Sequence, residues 1–349
     1  MELSKNDTKM LQGLSVLAMV WLHLFDRDYT GLFTPLVYVF GVPLSFYVAQ
    51  LSDFCVFGFA FCSGYGHMTQ FNRPNYYKRR LKGLIPLLCN YWIIILFFTI
   101  ISCLAGHGKE MPGNIGKLIL NALTLENSYN GAWWYMFTYI VLVAISPWLL
   151  KAVEKVNPFL VLGLGFVIYC AAFYVRFHMS TSNWLLLKIG PFGMTLFEYL
   201  IGAECCKGKW FTKIHCIISN IVPPRVAISR IVAIGAILVL LYGHTKIVPS
   251  LFVAPLTGFI VMTIFHFWRK PEFIRRIFLF VGKHSTNIWL THMFFYSVLF
   301  QNLVYIAKYP LMIFVFMMTI TIAVSMLLQI IEVPVQKRFQ RKTQRSCPS

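Results

Sequence analysis

The chain has 349 residues, of which 58% are hydrophobic, 17% aromatic and only 12% charged, and it carries a net charge of +19. Soluble domains hold about 25% charged residues, so this composition, with a mean hydropathy of +0.67, excludes a soluble core with a single anchor. The excess of positive charge does not point to nucleic acid, because most of the Lys and Arg residues cluster in loops that alternate with apolar segments.

Taken in chain order, apolar segments near the ~20-residue length of a membrane span fall at roughly 10–26, 50–70, 84–104, 133–150, 158–175, 189–206, 226–243, 248–267, 285–304 and 310–331. Lipid offers no partner to an unpaired backbone group, so each is expected to be a helix; the short alternating strands of a β-barrel are not seen. The predicted fold is all-α, a polytopic bundle of about ten transmembrane helices. An even count places both termini on one side, and the basic loops lie on that side, which makes it cytoplasmic. The expected organisation is a transmembrane domain over 1–335 and a basic cytoplasmic tail over 336–349, "QKRFQRKTQRSCPS", expected to be disordered. No internal repeat of the kind that marks many secondary transporters is evident.

The first span opens without the short apolar stretch and small-residue cleavage site of a signal peptide. Of the long outer loops, 27–49 is apolar enough to lie in the interface, and 105–132 contains "GNIGKLILNALTLEN", amphipathic over a few turns and suited to lying flat on a membrane. The nine cysteines show no metal-binding spacing, and no metal is expected.

Ionisable residues at membrane depth are costly, so each is a functional candidate: His23, Asp53, Glu198, His292, and Glu332 near the end of the last span. His23 lies about 21 Å along the first helix from Lys9, at a rise of ~1.5 Å per residue, towards the outer leaflet. A neutral imidazole there is a candidate general base, and Asp26, three residues on, is placed to orient it. A structural histidine bonded to a neighbouring helix is an equal alternative. In "VGKHSTNIWLTHMFFY", Ser285, His292 and Tyr296 share one helical face, with His284, Asn287 and Thr291 beside it; interhelical hydrogen bonding explains this seam at least as well as catalysis. For Glu198 a structural role is favoured; as a buried acid it would take a Lys or His partner that the sequence does not name.

At the start of the third span, "YYKRRLKGLIP" gathers Lys78, Arg79, Arg80 and Lys82. Topology alone explains such a flank; guanidinium groups there also suit phosphate binding. In "NSYNGAWWYM", Tyr129, Asn130, Trp133 and Trp134 read first as an aromatic belt and second as a surface for stacking a sugar ring.

In order and spacing these pieces resemble the acyltransferase type 3 family, bacterial membrane O-acyltransferases that act on surface glycans. The resemblance covers nearly the whole chain. It is carried by "QGLSVLAMVWLHLF" with His23, "FAFCSGYG" with Ser63 and Gly64, "KRRLKGLIP", "GAWWYM", "VGKHSTNIWLTHMFF" with Ser285 and His292, and "IIEVPV" with Glu332 and Pro334. The chain departs from the family in having no arginine before His23 on the first span. In place of an Arg-x-x-Arg pattern it has Arg79 and Lys82, or Arg80 and Gly83.

The resemblance implies a multi-pass protein of the bacterial inner membrane. It implies an acyl donor, acetyl-CoA or another acyl-CoA, held by Arg79, Arg80, Lys82 and Ser63. The acceptor would be a surface polysaccharide or lipid-linked glycan, met by Asn130, Trp133, Trp134 and Asn287. Catalysis would fall to His23, Asp26 and His292, with His23 as base or acyl carrier and Ser63, Asn287 or His292 as oxyanion donors. Two rivals stand beside it. One is a transporter of a polyisoprenoid-linked glycan, which needs no acyl-CoA clamp. The other is a different membrane O-acyltransferase superfamily, whose late histidine would favour His292 over His23.

Overall fold

A computed structural model describes residues 2–26, 31–179, 182–221, 234–240, 242–243 and 250–345, with the backbone alone for 220–221, 250–253 and 335–345. Among these residues the chain is helical apart from one two-stranded antiparallel hairpin, Tyr38–Val39 with Val42–Pro43. Seven helical stretches are long and apolar enough to cross a membrane: Lys5–Phe25, Leu44–Met68, Tyr76–Leu104, Gly131–Lys155, Pro158–His178, Trp184–Lys207 and Pro310–Pro334. These match seven of the expected spans. Half of the expected span at 226–243 lies outside the described residues; the rest, 234–240 and 242–243, is helical.

The chain divides into two compact units, Met1–Pro74 with Ile145–Ser285, and Asn75–Ala144 with Thr286–Ser349. In the first unit, α1 (Lys5–Phe25) begins with a capping box: Ser4 Oγ accepts from Asp7 N–H while the Asp7 carboxylate accepts from Ser4 N–H. The chain then forms the hairpin, whose tip exposes Phe40, and continues through α2 (Leu44–Leu51) into α3 (Cys55–Met68). The second span is therefore not one continuous α-helix. A 3-10 turn over Ser52–Phe54 interrupts it, with Asp53 at its centre.

α1 packs on α2, on that turn and on α3; α3 packs on α8 (Trp184–Lys207), and α8 on α7 (Pro158–His178). Glycine sets the α3–α8 crossing. A Cβ on Gly64 would meet the Tyr199 carbonyl oxygen at 1.9 Å, and one on Gly202 would meet that of Phe61 at 2.2 Å, so the backbones touch as small-residue membrane crossings allow. Below this crossing Phe57, Phe61, Tyr65, Phe211, Met262 and Phe265 form an aromatic core with α9 (Trp210–Ile221) and α10 (Ser250–Phe267). Glu2 ties the N-terminal segment to that core: its carboxylate accepts from Tyr65 Oη at 2.8 Å, and from Thr212 N–H at 3.0 Å and Oγ1 at 2.8 Å.

The expected span at 285–304 is placed differently. Its helix, α11, starts at Glu272 and ends at Met293, and a π-helical turn follows over Phe294–Val298. Glu272 supports the early start by pairing with Arg275 at 3.7 Å and Arg276 at 3.2 Å.

The second unit contains α4 (Tyr76–Leu104), α5 (Ile115–Ala122), the first part of α6 (Trp134–Lys155), the end of α11, α12 (Gln301–Tyr305) and α13 (Pro310–Arg345). As expected, the 105–132 loop holds an amphipathic helix. α5 is capped by Asn114, whose Oδ1 accepts from Lys117 N–H at 2.8 Å, and it exposes Ile115, Ile119 and Leu123. Over 336–345 the tail is helical rather than disordered, because α13 continues to Arg345; 346–349 lie outside the described residues. No glycine stops it after Pro334, and Gln, Lys and Arg are good helix formers.

Candidate active site

In the first unit, His23 stands in the last turn of α1 and is half-buried. Two residues earlier, the Trp21 indole donates to the Ser45 carbonyl at 3.1 Å, which fixes this end of α1 against the start of α2. Asp26 is the C-cap of α1, with its backbone N–H on the Leu22 carbonyl at 2.8 Å. It therefore keeps the helical register at the end of α1, three residues after His23. Ser63, on α3, donates its hydroxyl to the Phe59 carbonyl one turn back at 2.8 Å, so its proton is already engaged in this structure.

Asp53 and Glu198 are both buried, at 6% and 3% exposure. Arg176, from the last turn of α7, lies within electrostatic reach of Glu198, and Asp53 and Tyr169 act on the same carboxylate. The partner sought for Glu198 is thus an arginine at a helix end that the sequence reading left just outside the fifth span. A buried histidine also escaped that reading: His67 Nδ1 bonds the Tyr199 hydroxyl at 2.9 Å. Its signal was the lone His near the end of an apolar helix.

In the second unit, Asn75 adopts a left-handed conformation (φ 55°) as the N-cap of α4. Past it, Arg79 is exposed, Lys82 half-buried, and the Arg80 guanidinium lies 5.6 Å from the centroid of the Tyr76 ring. At the other end of this unit, Asn130 caps the 3-10 turn Gly131–Trp133 through Ala132 N–H at 3.0 Å and donates to the Leu290 carbonyl at 3.0 Å. The Trp133 indole donates to the same carbonyl at 2.9 Å, and the Trp289 indole donates to the Ala132 carbonyl at 3.0 Å. Trp133 is 1% exposed. It is an internal anchor, not a surface belt residue, because its N–H needs a partner and finds one inside; Trp134 is half-buried.

Asn287 is bonded on both sides of its amide, accepting from Asn90 and donating to Glu332 at 3.2 Å. Asn90 escaped the sequence reading, since a single Asn in an apolar span carries no pattern. His292 is fully buried, its Nδ1 2.8 Å from the Trp289 carbonyl and its ring stacked on Tyr296 at 5.9 Å and 15°. A carbonyl only accepts, so Nδ1 carries the proton and, in the neutral ring, Nε2 carries the lone pair.

The structure thus gathers His23, Asp26, Asp53, Ser63 and Glu198 into the first unit, and Arg79, Arg80, Lys82, Asn130, Trp133, Trp134, Asn287, His292 and Glu332 into the second. Each unit supplies a distinct chemistry: a half-buried imidazole at a helix end in the first, and a basic helix start and a hydrogen-bonded polar seam in the second.

A family model for an acyltransferase domain matches residues 8–330, and the chain belongs to the acyltransferase type 3 family. It is a membrane-embedded acyltransferase. No curated protein and no solved structure matches it.

Proposed function

We propose that the protein transfers an acyl group, acetyl by preference, from a cytoplasmic acyl-CoA to a hydroxyl of an extracytoplasmic glycan in the bacterial inner membrane, with both termini cytoplasmic. The match to the acyltransferase domain over residues 8–330 carries this reading. His23 takes the proton of the acceptor hydroxyl; the oxygen attacks the thioester carbonyl, the C–S bond breaks, and the thiolate leaves to be protonated. Asp26 orients the imidazole or stabilises its charged form. Arg79, Arg80 and Lys82 are the cations put forward for the donor's phosphates. The position of His23 in the last turn of α1 supports the role, since a helix C-terminus favours the imidazolium that proton abstraction creates.

The test is transfer of a labelled acetyl group from acetyl-CoA by the protein in nanodiscs. Loss in a folded His23→Ala variant is expected. Retained transfer would overturn the assignment of the base. The neutral tautomer imposed on His292 by the Trp289 carbonyl favours it as the alternative base, and in that case His292→Ala alone would abolish transfer. An intact chain with no transfer at all, in the presence of lipid-linked glycan, would leave glycan transport as the remaining reading.

A further inference from the structure

A cavity of about 500 Å³ opens in the first unit between the N-terminal turn of α1 and the segment joining α10 to α11. Its walls bring Arg269, Lys270 and Arg275 together with the Trp268 ring, facing Ser4, Asn6 and Asp7. Three cations face Asp7, whose carboxylate already accepts from Ser4 N–H at 2.9 Å, and Arg275 also lies 3.7 Å from Glu272 on its own helix. Volumes of about 300–1,000 Å³ are those of small-molecule sites, and this cavity holds an anion's counter-charge in two forked guanidinium groups, which suit phosphate oxygens. Trp268 offers an exposed aromatic face at the same place, suited to stacking a nucleobase.

We propose that this cavity binds the phosphorylated nucleoside end of the acyl-CoA donor. The inference rests on the acyl-CoA reading above and deepens it. It adds Arg269, Arg275 and Lys270 to the donor's contacts, and Trp268 as the stacking surface. In the proposed topology the start of α1 is cytoplasmic, the side on which the donor is made.

Lys270 gives the site a pH signature. Its ammonium is held by the Phe265 and Trp268 carbonyls and lies over the Phe265 ring. Burial lowers it, Asp7 acts against burial and Arg275 adds a smaller lowering, which together bring it to about 8. A bound phosphate favours the charged form. The group's ligand-free titration lies near 8, so binding takes up a proton above that pH, and affinity falls as the pH rises through it. The groups facing Lys270 are Asp7 from α1, Arg275 from α11 and Arg269 beside it.

The test measures binding of coenzyme A and of adenosine 3′,5′-bisphosphate to the full-length protein in nanodiscs by calorimetry. Arg269→Ala and Arg275→Ala are each expected to weaken both ligands about tenfold, a usual loss for one charge-assisted contact of ~1.5 kcal/mol. Trp268→Ala should weaken both and leave inorganic pyrophosphate unchanged. Arg276→Ala is the control, because Arg276 pairs with Glu272 on the same helix and does not line the cavity. Wild-type affinity in all the cavity variants would overturn the proposal while leaving the acyl-CoA reading intact. No coenzyme A binding to the folded wild-type protein would instead overturn that reading. If the cavity variants lose only stabilisation by phosphatidylglycerol over phosphatidylcholine, the site belongs to a lipid headgroup and the proposal fails.

Discussion

Asn90 on α4 donates its amide to Oδ1 of Asn287 on α11 at 2.5 Å, with both residues buried. Asn287 hands the connection on to Glu332 of α13 at 3.2 Å, so three helices of one unit share a single polar seam. Asn287→Leu removes the middle of this seam and with it the bonds to Asn90 and Glu332. The expected cost is about 1–3 kcal/mol by the penalty for an unsatisfied buried group, and nearer the low end if the membrane supplies other partners. A scan of Tm for Asn90→Leu, Asn287→Leu and the double variant checks it. A double variant no worse than either single one confirms a coupled pair.

A second prediction concerns charge. Arg176→Ala removes a cation within reach of the buried Glu198, and the expected cost is about 1–3 kcal/mol, the range for a buried group that loses a polar partner. Adding Glu198→Gln to Arg176→Ala should recover part of that loss. Denaturation midpoints of the single and double variants read this out. Equal stability of Arg176→Ala and wild type would show that the cluster is held by other groups.

The two arginines at the start of α4 should separate. Arg79 is exposed, whereas Arg80 is half-buried over Tyr76. Arg79→Ala is expected to weaken coenzyme A binding with no change in Tm, and the loss should shrink as salt rises. Arg80→Ala should weaken binding and also lower Tm by a few degrees, because its stem and its ring contact are lost together.

Backbone contact at the α3–α8 crossing makes a fourth prediction. A Cβ at Gly202 meets the Phe61 carbonyl oxygen at 2.2 Å and its carbonyl carbon at 2.9 Å, atoms that cannot swing aside. Gly202→Val should cost at least the ~1–3 kcal/mol of ordinary overpacking. Size-exclusion profiles would show less monodisperse protein. Gly66→Ala, where nothing lies within 4 Å, should behave as wild type.

The spans were legible where composition alone decides them. The seven recovered segments are long, apolar and helical because lipid permits little else. What the sequence hid was local. The 3-10 turn at Asp53 has no glycine or proline to announce it, and the early start of α11 is written in charged residues that read equally well as a loop. Arg176 looked like a flank, since hydropathy ends a span at the first charge and cannot see that the guanidinium folds back into the protein. For the candidate site the difference is of the same kind. His23 stood out as one polar group in an apolar helix, while Asn90 and His67 did not, because their meaning comes from Asn287 and Tyr199, which lie far away in the sequence. Trp133 was misplaced at the surface because a Trp pair beside a span looks the same whether it faces lipid or, as here, an internal carbonyl.

The last helix does not fit inside a bilayer. α13 has 36 residues, and at ~1.5 Å per residue it is about 54 Å long, against about 30 Å of hydrocarbon. Roughly 24 Å, by subtraction of those two lengths, therefore stands clear of the hydrophobic slab as a stiff post that bears Lys337, Arg338, Arg341, Lys342 and Arg345. Along a helical backbone these residues follow one another at a fixed rise of ~1.5 Å.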